Sequence, residues 1–128
     1  MVHFPPRSVL IVDDNTLVRR ILRQLFASQP DFDVRGEAGN GQEAIDKAQE
    51  LQPDLIVIDL SMPVMNGLEA SRALKRLIPD VPIIMFSEYC EALSEKEARA
   101  AGIAALVSKS EVSKLIGTAR GLFGRMAA

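Results

Sequence analysis

Ser8-Val-Leu-Ile-Val12 runs directly into Asp13 and Asp14, and Leu55-Ile-Val-Ile58 runs directly into Asp59. A run of four or five branched aliphatics, bounded by polar residues, reads as a strand buried on both faces. Two such strands in one parallel sheet point the same way. Their three terminal carboxylates then emerge at the same edge of that sheet. Like charges gathered there repel one another, and a divalent cation is the simplest compensation.

Working outward, apolar runs alternate with helical patterns. Asp33-Val-Arg-Gly-Glu37 reads as a short, weak second strand at the edge of the sheet; Pro82-Ile-Ile-Met-Phe86 and Ala104-Ala-Leu-Val107 read as the fourth and fifth. Val18, Ile21, Leu22, Leu25 and Phe26 share one helix face by their spacing. Ala44, Ile45, Ala48 and Leu51 do the same, as do Leu74, Leu77 and Ile78, and the set Val112, Leu115, Ile116, Ala119, Leu122 and Phe123. A helix near Ser94 to Ala101 opens with the capping-box pattern Ser94-x-x-Glu97 and carries mostly alanine. Pro30, Pro53, Pro79 and Gly102 fall between elements, as breakers should. The fold class is therefore α/β, with five strands and five helices alternating and helices on both faces of a parallel sheet.

The chain has 128 residues, which suits one domain over 1-128 with its core at about 7-124. Hydrophobic residues at 48% are enough for a core, and a net charge of −2 without a basic patch argues against direct nucleic-acid binding. The single cysteine, Cys90, forms no internal disulfide, which fits a cytoplasmic protein. Met1 to Arg7 shows no apolar signal segment, and no stretch approaches the length of a membrane span.

Ligands of open α/β sheets sit beyond the carboxyl ends of the strands, at a topological switch point. The residues expected there are Asp13 and Asp14, Asp59, Ser87 after the fourth strand and Lys109 after the fifth. Three acids, a hydroxyl and an amine suit a Mg2+-assisted phosphoryl transfer. Carboxylates hold a hard cation, lysine and hydroxyl take phosphoryl oxygens, and one carboxylate acts as nucleophile. In the loop Asp59-Leu-Ser-Met-Pro-Val-Met-Asn-Gly67, Pro63 sets a turn and Gly67 is expected to adopt a backbone geometry that other residues avoid.

With Val12-Asp13-Asp14-Asn15, the Asp59 to Gly67 loop, Ser87 after Ile-Ile-Met-Phe and Lys109 after Gly102-Ile-Ala-Ala-Leu-Val-Ser, the chain resembles the receiver domains of bacterial two-component response regulators, of the chemotaxis-Y-like kind. The resemblance runs from about Arg7 to the last helix, and four motifs in order, each at a strand end, are very specific. It implies a flavodoxin-like, doubly wound sheet of order 2-1-3-4-5. It implies that Asp59 is the phosphoacceptor, that Asp13, Asp14 and the backbone carbonyl of Ser61 join Asp59 around Mg2+, and that Ser87 and Lys109 engage the phosphoryl group. The implied partners are a sensor histidine kinase or phosphotransfer protein upstream and an output domain or separate protein downstream. A phosphorylation-linked homodimer is also open. The fourth helix, fifth strand and fifth helix would carry the signal, and the chain would be a switch rather than an enzyme.

Several positions depart from the family pattern. Leu106 stands where a tyrosine or phenylalanine is usual, and Glu88 follows Ser87 where a small residue is usual. Ser110 replaces the usual proline after Lys109 and suits an N-cap for the last helix. Ser61 and Tyr89 occupy positions that tune phosphoryl lifetime in the family, and Tyr89 is expected to shield Asp59 partly from water. Two other functions remain in play. A phosphatase of the haloacid-dehalogenase type also uses an aspartate nucleophile, but Ser61 and Asn15 stand where its second aspartate belongs. A pseudo-receiver, an interaction module that no longer takes phosphate, is kept alive by Leu106 and Glu88. His3 and Cys90 read as bystanders, and Met62, Met65 and Met85 as loop and core filling. Arg19, Arg20 and Arg23 read as a solvated helix face, with kinase docking as the second reading.

Overall fold

The computed structural model describes residues 5–88 and 93–126. His3, Tyr89 and Cys90 lie outside the described residues. Five strands, β1 (Arg7–Val12), β2 (Phe32–Ala38), β3 (Leu55–Ile58), β4 (Ile83–Ser87) and β5 (Ala105–Ser108), alternate with helices α1 (Thr16–Ala27), α2 (Gly41–Leu51), α3 (Gly67–Leu77), α4 (Glu95–Ala100) and α5 (Leu115–Met126). The sheet has the order β2-β1-β3-β4-β5, and every pairing is parallel. The flavodoxin-like order and the alternation agree with expectation.

Because successive strand residues face opposite ways, each strand feeds two cores. Leu10, Val12, Ile56, Ile58, Ile83 and Met85 pack with Ala44, Ala48, Ala70 and Leu74 of α2 and α3 and Ala98 of α4. Val9, Ile11, Leu55, Val57, Ile84 and Phe86 pack with Leu22 and Phe26 of α1 and Leu115, Ala119 and Phe123 of α5. Truncating one of the fully buried leucines to alanine costs about 2–5 kcal/mol in such surroundings. The expected filler methionines hold their places: Met85 is buried, and Met62 and Met65 pack partly buried against the α2–α3 core.

Some expectations change. β2 is the edge strand, as read, but it is the longest of the five, at seven residues. Its charges hid it: Glu37 accepts ion pairs from Arg19 (3.1 Å) and Arg23 (2.7 Å) across α1. Those two arginines therefore brace α1 against the edge strand and are not a freely solvated face; Arg20 is exposed. Ile21 and Leu77, placed on core faces by spacing, are each 48% exposed, because the buried stripes narrow to Leu22 with Phe26 and to Leu74. Ser110 does not cap the last helix. A 3-10 turn over Lys109–Lys114 intervenes, capped by Ser108, whose side chain accepts the Ser110 N–H at 3.3 Å. Ser94 caps α4 as expected, accepting the Glu97 N–H at 3.0 Å. The reciprocal box is complete at α3, where Asn66 and Glu69 exchange side-chain and backbone bonds.

At the amino edge of the sheet the chain is tied by complementary groups. Ser8 donates its N–H (2.8 Å) and hydroxyl (3.2 Å) to Asp54, which returns its own N–H to the Ser8 hydroxyl at 3.0 Å. The Arg7 guanidinium lies 4.2 Å from the Phe123 ring centre. Arg120 of α5 grips Asp31 bidentately at 2.7 and 2.8 Å.

Candidate functional site

The carboxyl edge is built by register. Val12 pairs with Ile58, so the residues that follow, Asp13 and Asp59, stand side by side at the ends of β1 and β3. The Asp59 N–H continues the ladder to the Val12 carbonyl at 2.9 Å, and the Asp13 N–H to the Ala38 carbonyl at 3.0 Å. Single ligand oxygens of Asp13, Asp14 and Asp59 all lie within 4.8 Å of one another. Asp13 and Asp59 are 1% and 6% exposed, while Asp14 opens to solvent.

Lys109 arrives from the end of β5. Its Nζ lies 2.8 Å from Asp13 Oδ2 and 3.4 Å from Asp59 Oδ2. Burial works to lower the lysine's pKa, but the hydrogen bond and charge of Asp13, with the charge of Asp59, outweigh it and hold the ammonium above its ordinary value. Ser87, fully buried at the end of β4, hydrogen-bonds the Asp59 carboxylate. The Leu60 N–H donates to Asp59 Oδ1 at 2.9 Å. These donors and Lys109 do not fully compensate Asp59. Desolvation first, and the Asp13 charge second, push its carboxyl above the usual range.

That deficit is the test of the expected cation. Three oxygen donors within one ion's reach, two of them buried, with a single ammonium between them, fit a hard divalent ion such as Mg2+. Ser61 is exposed and, with Asp14, Asn15, Val18, Asp59, Glu88 and Lys109, lines a cleft of about 220 Å³ over the acids. Every expected site residue thus converges on one place. Leu106 lies apart, half-buried among Leu93, Ala98 and Ile103 near α4.

Three supporting residues carry more than their sequence signal suggested. Gly67 is required for room rather than for an unusual dihedral. A Cβ there would stand 2.0 Å from the Asp59 carbonyl oxygen, which the tight loop brings against the start of α3. The unusual dihedral belongs to Val64, at φ 69°, in a three-residue turn closed by the Met65 N–H on the Pro63 carbonyl at 2.7 Å. Gly41 makes a second close approach: its N–H reaches the Met65 carbonyl at 3.0 Å, and a Cβ would stand 2.6 Å from that oxygen. No local pattern marks Gly41, because the contact joins α2 to a loop far along the chain. Asn15 caps α1 by accepting the Leu17 and Val18 N–H groups at 2.9 and 3.2 Å, and its own N–H orients Asp13 Oδ1 at 2.8 Å. Arg19 reaches back to the Asp13 carbonyl.

Residues 9–119 match the family model of the response regulator receiver domain. A protein-glutamate methylesterase/protein-glutamine glutaminase of Methanosarcina mazei is 44% identical over 104 residues, covering 80% of this chain but 29% of that protein, so the chain spans under a third of that relative. Among solved structures, the response regulator domain of Thermotoga maritima CheB superposes with TM-score 0.78 at 33% identity, covering 95% of this chain and 94% of that one. The response regulator protein TrrA of the same organism, solved in complex with Mg(2+)-BeF, gives 0.82 at 26% identity, covering 91% and 98%. These matches do not favour a haloacid-dehalogenase phosphatase. The chain belongs to the response regulator receiver domains.

Proposed function

We propose that this receiver domain accepts a phosphoryl group on Asp59, with Mg2+ held by Asp13, Asp14, Asp59 and the Ser61 backbone carbonyl. The observation that carries the reading is the convergence of three carboxylates within 4.8 Å of one another, two of them paired with one lysine amine. Asp59 supplies the attacking oxygen: its O–P bond forms as the donor's P–N bond breaks, and the electron pair leaves with the histidine of the kinase or phosphotransfer protein. A bound Mg2+ would offset the negative charge of the carboxylates and of the incoming phosphoryl oxygens. Lys109, nearer Asp13 than Asp59 at rest, gains a phosphoryl oxygen as a new partner. The Ser87 hydroxyl, bonded to Asp59 at rest, turns to another.

The signal then passes from Ser87 toward the α4–β5–α5 face. Leu106 repacks there against Leu93, Ala98 and Ile103, without the ring flip an aromatic would give. The receiver works as one unit over residues 1-128. It controls an output domain or a separate protein, in the cytoplasm; among the described residues no helix is long and apolar enough to cross a membrane. The esterase activity named for the longer relative is not assigned to this chain.

Intact mass after incubation with acetyl phosphate and Mg2+ tests the reading. One phosphoryl group on the wild type, absent from Asp59→Asn and from Mg2+-free samples, is the expected result. An Asp59-independent adduct, or none from either acetyl phosphate or a phosphohistidine donor, leaves the pseudo-receiver as the better account.

A further inference from the structure

The two acids that end β1 are held in different ways. The Asp13 carboxylate is fixed at both oxygens, Oδ1 by the Asn15 N–H at 2.8 Å and Oδ2 by Lys109 Nζ at 2.8 Å. Asp14 is exposed, and its carboxylate is left to be aimed by its own main chain. The peptide that joins the two acids carries the Asp13 carbonyl, and Arg19 Nη1 donates to that oxygen at 2.5 Å. A peptide unit is planar, so a bond that fixes its carbonyl also fixes the plane from which the Asp14 Cα departs. Arg19 is itself braced: its Nε meets Glu37 Oε1 at 3.1 Å, while Arg23 holds Glu37 Oε2 at 2.7 Å. Glu37 stands in β2 beside Ala38, whose carbonyl takes the Asp13 N–H at 3.0 Å. The edge strand therefore holds Asp13 twice, directly through Ala38 and indirectly through the Arg19 fork. The Arg19 side chain is 20% exposed against 45% for Arg23, and it stays outside the lining of the acidic cleft.

We propose that Arg19, braced by Glu37, is a positioning residue for the cation site: it sets the Asp13–Asp14 peptide and so aims the Asp14 carboxylate at the metal. This rests on the Mg2+-dependent phosphoacceptor reading and deepens it. Two effects of Arg19 on a bound cation have opposite signs. Its positive charge repels a dication, so by charge alone its removal would tighten binding. Its hold on the peptide places a donor oxygen, so by geometry its removal loosens binding. The fork matters as well as the charge. A guanidinium reaches Glu37 and the Asp13 carbonyl at once in a fixed plane, which the single ammonium of a lysine does not reproduce. The identity of the cation separates geometry from charge. Mg2+ demands near-ideal octahedral placement of its oxygens, whereas Ca2+ accepts irregular ones. A displaced Asp14 carboxylate therefore penalises Mg2+ more than Ca2+, while a change in the local field acts on both dications alike.

The test titrates the whole chain with Mg2+ and with Ca2+ by calorimetry, for the wild type beside Arg19→Gln, Arg19→Lys and Glu37→Gln. Melts without cation check that each variant is folded. Arg19→Gln and Arg19→Lys should each raise the Mg2+ Kd roughly tenfold, the scale on which residues behind a metal ligand act. The Ca2+ Kd should rise less, so the preference for Mg2+ over Ca2+ falls in both. Glu37→Gln should lower the same preference by a smaller factor, because Arg19 keeps its carbonyl contact but loses its brace. That variant also decides the matter if the Arg19 replacements do not fold. Tighter Mg2+ binding in Arg19→Gln, wild-type affinity in Arg19→Lys, or an unchanged Mg2+-to-Ca2+ ratio in every folded variant overturns the proposal and leaves the phosphoacceptor reading intact. A wild type that binds neither cation overturns the metal site itself, and this inference with it.

Discussion

The two edges of the sheet are built on opposite principles. At the amino edge the named polar groups meet complementary partners: Asp54 with the Ser8 donors, Asp31 with Arg120, Arg7 against the Phe123 ring. At the carboxyl edge three acids crowd one lysine, and Asp59 is held with its carboxyl pushed above the usual range. One edge holds the fold together, and the other stores unfavourable charge that a cation and a phosphoryl group can resolve. Removing an acid should therefore have opposite signs at the two ends. That expectation can be broken residue by residue.

The largest effect should come from Gly67→Ala. The new methyl would meet the Asp59 carbonyl, a backbone atom that cannot swing aside, so either α3 or the β3 end must move. A loss of about 3 kcal/mol in chemical denaturation is expected. A loss below 1 kcal/mol would mean the loop yields easily and does not brace Asp59. Next comes Mg2+, which should stabilise the wild type by about 2.7 kcal/mol at a hundredfold excess over its Kd. The gain should disappear in Asp13→Asn combined with Asp14→Asn. A Mg2+-independent melting temperature would remove the carboxyl edge's side of the comparison.

The sharpest contrast pairs two acid removals of similar size. Without Mg2+ at neutral pH, Asp59→Asn should raise stability, on the order of 1 kcal/mol. Asp54→Ala should lower it by about 1 kcal/mol, since Ser8 loses its acceptor. The Asp59 effect also has a pH signature. A carboxyl raised in the folded state binds its proton there more readily than in the unfolded chain. The wild type therefore loses stability as pH rises from the ordinary value of 3.8 through the raised one. The advantage of Asp59→Asn should open across that window and vanish below it. Equal stabilities at neutral pH would contradict the stored charge. The smallest effect belongs to Arg120→Gln. Arg120 holds the Asp31 carboxyl below its ordinary value, so its contribution is present above pH 3.8 and lost as pH falls through the lowered value. Both groups are largely exposed, so a small, salt-sensitive shift in the acid limb of a pH melt is expected.

How much of this was legible in the chain depended on where each interaction lies. The central strands announced themselves because β1, β3 and β4 are buried on both faces and read as unbroken apolar runs. β2 was under-read because of its charges: Glu37 is satisfied by Arg19 and Arg23 of α1, a pairing no local pattern encodes, while Asp33 and Arg35 pair within the strand. Ile21 and Leu77 kept the helical spacing of core residues yet face solvent, since spacing assigns a face but not how far the neighbouring elements cover it. The cap expected of Ser110 on the last helix is not formed: Ser108 and Ser110 are equally good caps in isolation, and the end of β5 selects the first, which caps a 3-10 turn ahead of α5.

The site divides along the same line. Its residue types were set locally: an apolar run must end, and here each ends in Asp13, Asp59, Ser87 or the segment leading to Lys109. Which strands lie side by side, and in what register, was decided only by packing. Val12 opposite Ile58 brings Asp13 and Asp59 onto one lysine, and a one-residue slip would turn one carboxylate toward the other face. The preference of Lys109 for Asp13, at 2.8 against 3.4 Å, and the crowding of Gly67 against Asp59 are likewise products of the folded arrangement. Sequence chooses the chemical groups because it chooses side chains. Tertiary structure chooses their distances, because those are set by contacts between residues tens of positions apart.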